Sequence, residues 1–200
     1  MQQILSKLEE SYFTFLTPTG FGAVFLAIFS VTRPGDEIIA ADPVYSPTRL
    51  LIQDFLKEFN IKTTFYDPHD LKTLEKAITK KTKLIFVENP GSNTFDFQDL
   101  GKIVSIAKKH KILTAIDNTW GTPYFLKPIK LGFDMAISTA GGSSDAVVTH
   151  VGGGGYGGAG AAGGAGASAI VKLQTSPSTQ PSGGTKESTR QCTVAAKLMR

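Results

Sequence analysis

Cysteine is almost absent from this chain: Cys192 is the single one among 200 residues. That excludes an internal disulfide framework and a thiolate metal cluster, and it suits a reducing compartment. A long apolar run is missing as well. The longest near the start, Phe21 to Val31, is too short to span a bilayer, and the charged residues before it, Lys7, Glu9 and Glu10, do not resemble a signal peptide. No membrane association is expected, and the sequence reads as soluble and cytoplasmic. Charge of one sign is also lacking through Ala140, where 16 Lys and Arg face 15 Asp and Glu. From Gly141 onward hydrophobic residues become scarce: 8 of 60 are Leu, Ile, Val or Phe, and Tyr156 is the sole aromatic. Such a segment buries too little apolar surface to offset the entropy of ordering it. Its 5 basic residues against 2 acidic ones are scattered, with no basic stripe and no interleaved aromatics, so nucleic acid is not an expected partner. The expected division is a globular domain over 1–140 and a low-complexity, flexible tail over 141–200.

What is present in the first 140 residues is an alternation of helical and extended signals, the sequence form of an α/β domain with a mainly parallel sheet covered by helices. Leu5 to Glu10 reads as the end of a helix. The apolar run after Thr17-Pro18-Thr19-Gly20 predicts a buried helix to Thr32, stopped by Pro34-Gly35, and Glu37 to Ala41 predicts a strand. Pro47 to Phe59 carries Leu51, Phe55 and Phe59 at helical spacing, followed by an alternating strand at Lys62 to Tyr66. An Asp70 cap then leads through Leu71, Leu74 and Ile78 to a strand at Lys83 to Val87. Leu100, Ile103, Val104 and Ala107 share one helical face before a strand at Ile112 to Ile116, and Asp134 to Ser138 predicts the last strand.

Ligands of such folds collect at the carboxyl ends of the strands, and four segments fall there. Thr19-Gly20-Phe21 opens the first buried helix, where free N–H groups suit a phosphate, although a glycine there is also a plain cap. Asp42-Pro43-Val44-Tyr45-Ser46-Pro47-Thr48-Arg49 offers Tyr45 to stack on a flat ring, or merely to close a Pro-bounded turn. Glu88-Asn89-Pro90-Gly91-Ser92-Asn93-Thr94-Phe95 and Asp117-Asn118-Thr119-Trp120 follow the next two strands. An aspartate in the position of Asp117 can hold a pyridine nitrogen protonated, or simply cap the next turn.

Taken together, in this order and approximate spacing, these segments resemble the Cys/Met-metabolism family of fold-type-I pyridoxal-phosphate (PLP) enzymes, over about residues 4 to 140. The resemblance implies the large PLP-binding domain of that fold, incomplete here, and PLP as cofactor. It implies that Gly20 and Phe21 give backbone amides to the phosphate, that Tyr45 stacks on the ring and that Asp117 pairs with the ring nitrogen. Thr139 stands where the family usually has a serine touching the phosphate. Ser92 stands where the γ-synthase and γ-lyase branch typically has an asparagine, so the β-lyase branch is the nearer likeness: cleavage of cystathionine to homocysteine, pyruvate and ammonia in trans-sulfuration and methionine biosynthesis. An amino-acid substrate and a homo-oligomer follow for the family.

One element of that pattern is missing. After Asp134-Met135-Ala136-Ile137-Ser138-Thr139-Ala140 the family continues Thr-Lys-Tyr, and its lysine carries the cofactor and shuttles the Cα proton. This chain continues Gly141-Gly142-Ser143-Ser144-Asp145, which either replaces those residues or, after a short deletion, resumes the family's Gly-Gly-His-Ser-Asp. Both alignments lose the lysine. Lys130 and Lys172 are the nearest others and read as surface charges, so no catalytic residue is assigned and the chain is expected to be inactive. The family's Tyr-x-Arg segment and substrate-gripping arginine have no counterpart, and Arg190 and Arg200 receive no role. The dense glycines from Val151 to Ala169 lack the flanking strand and helix of a phosphate loop. His69, His110 and His150 have no spaced partner, so no metal site is expected. Alternatives to an inactive lyase are a non-catalytic interaction remnant and a decayed fragment without function.

Overall fold

The predicted alternation closes into one sheet. The computed structural model describes residues 2–140 and 168–173, with side chains for 2–139. In chain order the elements are α1 (Gln2–Leu8), β1 (Phe13–Thr17), α2 (Gly20–Val31), β2 (Glu37–Ala41), α3 (Ser46–Leu50), a π-helical turn (Leu51–Phe55), α4 (Leu56–Glu58) and β3 (Lys62–Tyr66). There follow α5 (Leu71–Ala77), β4 (Thr82–Glu88), α6 (Leu100–His110), β5 (Leu113–Asp117), α7 (Thr122–Phe125), α8 (Pro128–Leu131), β6 (Met135–Ala140) and β7 (Ser168–Leu173). The described strands form a seven-stranded sheet in the order β1-β7-β6-β5-β4-β2-β3. From β3 to β6 all pairs are parallel, while β7 runs antiparallel to both β6 and β1. No described helix is long and apolar enough to cross a membrane.

Local chemistry sets these boundaries. In β4, Leu84, Ile85, Phe86 and Val87 are all buried on successive residues, as expected for a central parallel strand covered on both faces. The Thr19 hydroxyl caps α2 by accepting the Gly22 N–H at 2.9 Å. Asp70 caps α5 and Asp99 caps α6, each accepting an N–H at 3.0 Å. In α6, Ile103, Val104 and Ala107 face the core, and the helix ends in Lys108, Lys109 and His110 with Lys111 in the left-handed conformation.

Three elements differ from the sequence reading. The helix expected over Pro47 to Phe59 is interrupted by the π-helical turn, which directs Leu51, Ile52 and Leu56 into the core. Phe55 and Phe59, expected on the buried stripe, lie half exposed against Phe25 and Phe29 of α2. Strand β1 was not anticipated, because its pattern is inverted: Thr14 is buried while Phe13 and Leu16 are exposed.

The third difference is β7. The tail was expected to contribute nothing ordered beyond residue 140, yet Ser168–Leu173 pairs along β6 and β1. Its Ala169-Ile170-Val171 run has strand-forming residues that the surrounding glycines hide from any compositional window. Gly141 and Gly142, where either alignment loses the lysine, the Gly/Ala run up to residue 167, His150, Arg190, Cys192 and Arg200 lie outside the described residues.

Candidate functional site

Strands β2, β4, β5 and β6 run parallel, and β1 points the same way through the intervening β7. Their carboxyl ends therefore lie along one edge of the sheet, and Gly20, Phe21, Tyr45, Asp117 and Thr139 sit there. Four loops meet at this edge. The Ser92 N–H donates to the Pro43 carbonyl at 2.7 Å, joining the loop after β4 to the loop after β2. A Cβ at Gly91 would lie 2.8 Å from Pro43 Cγ, so the close approach of these loops depends on that glycine. Arg49 fixes the first loop, pairing with Asp42 at 2.5 Å and lying over the Phe65 ring at 4.0 Å.

At the centre of the edge, Asp117 ends β5 and is 7% exposed. Its Oδ1 accepts the Thr119 N–H at 2.9 Å. Burial holds its carboxyl above the ordinary aspartate range. Directly beside it in register on β4 is Glu88, 5% exposed. Burial, reinforced by the neighbouring Asp117 charge and partly opposed by a hydrogen bond from Tyr45, pushes Glu88 up to about 8. That bond runs from the Tyr45 N–H to Glu88 Oε2 at 2.6 Å, so the half-buried tyrosine is attached by its backbone to one member of the carboxyl pair. Behind Glu88, Gln98 Nε2 donates to the Glu88 carbonyl at 3.0 Å, while its Oε1 accepts from the Tyr66 hydroxyl.

The other end of the site is built from α2 and β6. The first intrahelical bond of α2 runs from the Ala23 N–H to the Thr19 carbonyl at 3.1 Å, and the Gly22 N–H is taken by the Thr19 hydroxyl. The amides of Gly20 and Phe21 precede these bonds, at the positive end of a 12-residue helix. A Cβ at Gly20 would sit 2.2 Å from Thr139 Cγ2, so only glycine lets the helix start reach the end of β6. The Thr139 N–H donates to Thr119 Oγ1 at 3.2 Å. Thr119 thus spans both ends, donating to Asp117 with its amide and accepting from Thr139 with its hydroxyl. Asn118 holds this turn against β6, its N–H donating to the Ile137 carbonyl at 2.7 Å.

The structure brings Gly20, Phe21, Tyr45, Asp117 and Thr139 to one edge, and adds Glu88 and Thr119. The sequence gives Glu88 no role of its own within Glu88-Asn89-Pro90-Gly91. Its signal was a strand-end acid one strand away from Asp117, which becomes interpretable only with the β4–β5 register. Lys130 lies in α8 with its amino group 3.7 Å from Glu10 Oε2, not beside Asp117. His69 pairs with Asp96 at 3.0 Å, and no group of three or more metal-binding side chains occurs among the described residues.

The donor set fits PLP. A buried acidic pair with no described cation beside it suits a protonated pyridine nitrogen, and an uncharged helix start with a threonine suits a phosphate.

Comparison with known proteins gives a consistent result. Residues 1–151 match the family described as Cys/Met metabolism PLP-dependent enzyme. A Saccharomyces cerevisiae protein provisionally named a cystathionine beta-lyase is 40% identical over 139 residues, covering 68% of this chain and 41% of that protein. Among solved structures, a provisionally named O-acetylhomoserine (thiol)-lyase from Campylobacter jejuni, holding pyridoxyl-lysine monophosphate, is similar with a TM-score of 0.73 and 28% identity, covering 88% of this chain and 40% of that one. Cystathionine gamma-lyase from Lactobacillus plantarum, complexed with L-serine, is similar with a TM-score of 0.71 and 30% identity, covering 87% of this chain and 41% of that one. The chain spans about two fifths of the length of these relatives.

Proposed function

Since this chain belongs to the Cys/Met metabolism PLP-dependent enzyme family, we propose that its sheet edge is the cofactor half of a carbon–sulfur lyase of the cystathionine β-lyase type, in a chain that cannot itself complete the reaction. The family is PLP-dependent and acts on amino acids. PLP supplies an electron sink for negative charge at the Cα of an amino acid. Asp117 would hold the ring nitrogen protonated, Tyr45 would cover one ring face, and Gly20, Phe21 and Thr139 would grip the phosphate. What this arrangement does is bind and orient. Moving the Cα proton requires a base, and the position where the family carries its lysine is occupied by Gly141 and Gly142, or deleted.

The buried Asp117, paired in register with Glu88, is the observation that carries this reading. The β-branch is supported by Ser92 and by the 40% identity to the yeast relative; γ-elimination or γ-replacement is the alternative within the family. Titration of the purified protein with PLP, followed by borohydride reduction, tests it. We expect a bound visible-absorbing species, no reduction-stable adduct on any lysine, and no pyruvate or homocysteine from cystathionine. A stable adduct on Lys130, Lys172 or another lysine, or turnover, would refute the inactive reading.

A second reading, a non-catalytic chain that docks on a full-length family enzyme, is favoured by the exposed Phe95, Trp120, Tyr124 and Phe125, two of which stack edge to face at 5.4 Å. Sizing the protein with and without such an enzyme decides it, and a monomer in both samples ends that idea.

A further inference from the structure

We propose that Glu88 and Asp117 act as one proton-holding pair in which Glu88 positions Tyr45, so that arrival of a cationic heteroaromatic ring at Asp117 drives a proton off the pair and tightens the hold on Tyr45. This rests on the PLP-site reading and assigns to Glu88 a role that the sequence did not give it.

The geometry carries the argument. Glu88 and Asp117 are register partners at the ends of adjacent parallel strands, and neighbouring strands lie about 4.8 Å apart, with side chains of paired residues on one face. Both are buried, so two negative charges here repel with little solvent screening. Hydrogen bonds from Tyr45 to Glu88 and from Thr119 to Asp117 offset this only in part, and the surroundings offer no described cation. On the β2 side Asp42 is committed to Arg49. On β3 the Tyr66 hydroxyl donates to Gln98. The loop after β4 carries Asp96, which is paired with His69. On β6 Asp117 is in register with the apolar Ile137, followed by the uncharged Ser138 and Thr139, and α2 has no charged residue at all. With no cation present the pair retains one proton near neutral pH, in keeping with the elevated Glu88.

A pyridinium at Asp117 reverses the balance. The pair then loses its proton to solvent, passing from one negative charge to two against the ligand's positive charge. Ionised Glu88 accepts the Tyr45 N–H in a charge-assisted bond, stronger than the bond to a neutral carboxylic acid. Cofactor occupancy at the ring nitrogen and placement of the residue over the ring are thereby linked through a single carboxyl group.

Carbon-13 NMR of carboxyl groups in ligand-free protein, from pH 4 to 10, tests the pair directly. The Glu88 signal, identified by its loss in Glu88→Gln, should titrate well above the ordinary carboxylate range and return toward it in Asp117→Asn. A Glu88 midpoint in the ordinary range, or one indifferent to Asp117→Asn, would overturn the pair. Calorimetric titration with PLP near pH 7, in buffers of different ionisation heat, tests the coupling. Release should approach one proton in the unmodified protein and fall near zero in Glu88→Gln, whose amide oxygen can still accept from Tyr45. Undiminished release in that variant would sink the coupling. Should Glu88→Gln fail to fold, Glu88→Asp, which shortens the reach to Tyr45, should shift both the midpoint and the proton count; no shift in either would count against the proposal. Failure of the unmodified protein to bind PLP would defeat the cofactor reading and the coupling with it, while the ligand-free titration still decides whether the pair exists.

Discussion

The two ends of the candidate site are built from opposite materials. At one end two carboxyl groups are buried side by side on β4 and β5; at the other, two backbone amides and a threonine hydroxyl sit at a helix start with no ionisable group. The first end attracts a cation and repels an anion, and the second does the reverse. A ligand with a protonated ring nitrogen and a phosphate is thus oriented by electrostatics as well as by shape. Thr119 joins the two ends through a single residue, which fixes their separation.

The largest test of this polarity removes the acidic end. Asp117→Ala should weaken PLP binding by about 100- to 1000-fold, roughly 3–4 kcal/mol, since truncating one partner of a buried charge pair is costly. Equilibrium binding followed by absorbance measures it, and a loss below tenfold would mean that the acidic end contributes little. Next comes the pH dependence of folding. Glu88 is raised from 4.5 to about 8 by burial and by Asp117, so the folded state binds more protons than the unfolded chain between those values. Its contribution is fully present below pH 4.5 and is lost as pH rises through 8, by an amount on the order of 2–4 kcal/mol. Urea unfolding across this window should show falling stability, and Glu88→Gln should flatten the slope.

The amide end breaks differently. Gly20→Ala should cost about 1–3 kcal/mol of stability through the clash with Thr139 Cγ2, and Thr139→Ser, which lacks that methyl group, should restore most of it. Thermal unfolding of the single and double variants checks this. A destabilisation that Thr139→Ser leaves unrelieved would place the strain elsewhere. The smallest effect is expected at the bridge: Thr119→Val removes the acceptor of the Thr139 N–H and the hydroxyl's bond to Asp117 but keeps the backbone N–H bond to Asp117, costing about 1 kcal/mol by the same measurement.

Local signals revealed much of this architecture. Capping residues such as Asp70, breakers such as Pro34-Gly35, and apolar runs such as Leu84 to Val87 act over short distances, and strands β2 and β3 fall where they were read. The ordered strand-end segments likewise pointed to Gly20, Tyr45 and Asp117. What stayed hidden depends on pairing across the sheet. Glu88 acquires meaning from its register with Asp117, and Thr119 from its bond to the end of β6. Strand β1 was hidden because its fully buried position is a threonine, while Phe13 and Leu16 are exposed and Phe15 is only partly buried. The π-helical turn was hidden because Leu51, Phe55 and Phe59 suit a regular helix as sequence, whereas packing turns Ile52 and Leu56 inward.

The place of β7 in the sheet bears on the order in which the protein can assemble. Its residues Ser168–Leu173 are inserted between β6 and β1, and Phe13 pairs with Leu173 across nearly the whole described chain. During synthesis β1 leaves the ribosome first and must wait for residue 173 before it gains a hydrogen-bonded neighbour. The rest of the sheet, from β3 to β6, is complete by residue 140. The first strand made is therefore the last secured, a closure of long sequence separation that is slow to form and exposes strand edges in the interval. A stop anywhere between residues 141 and 167 would leave β1 beside the sheet without its bridging strand, and with it the anchor of the helix start that carries Gly20.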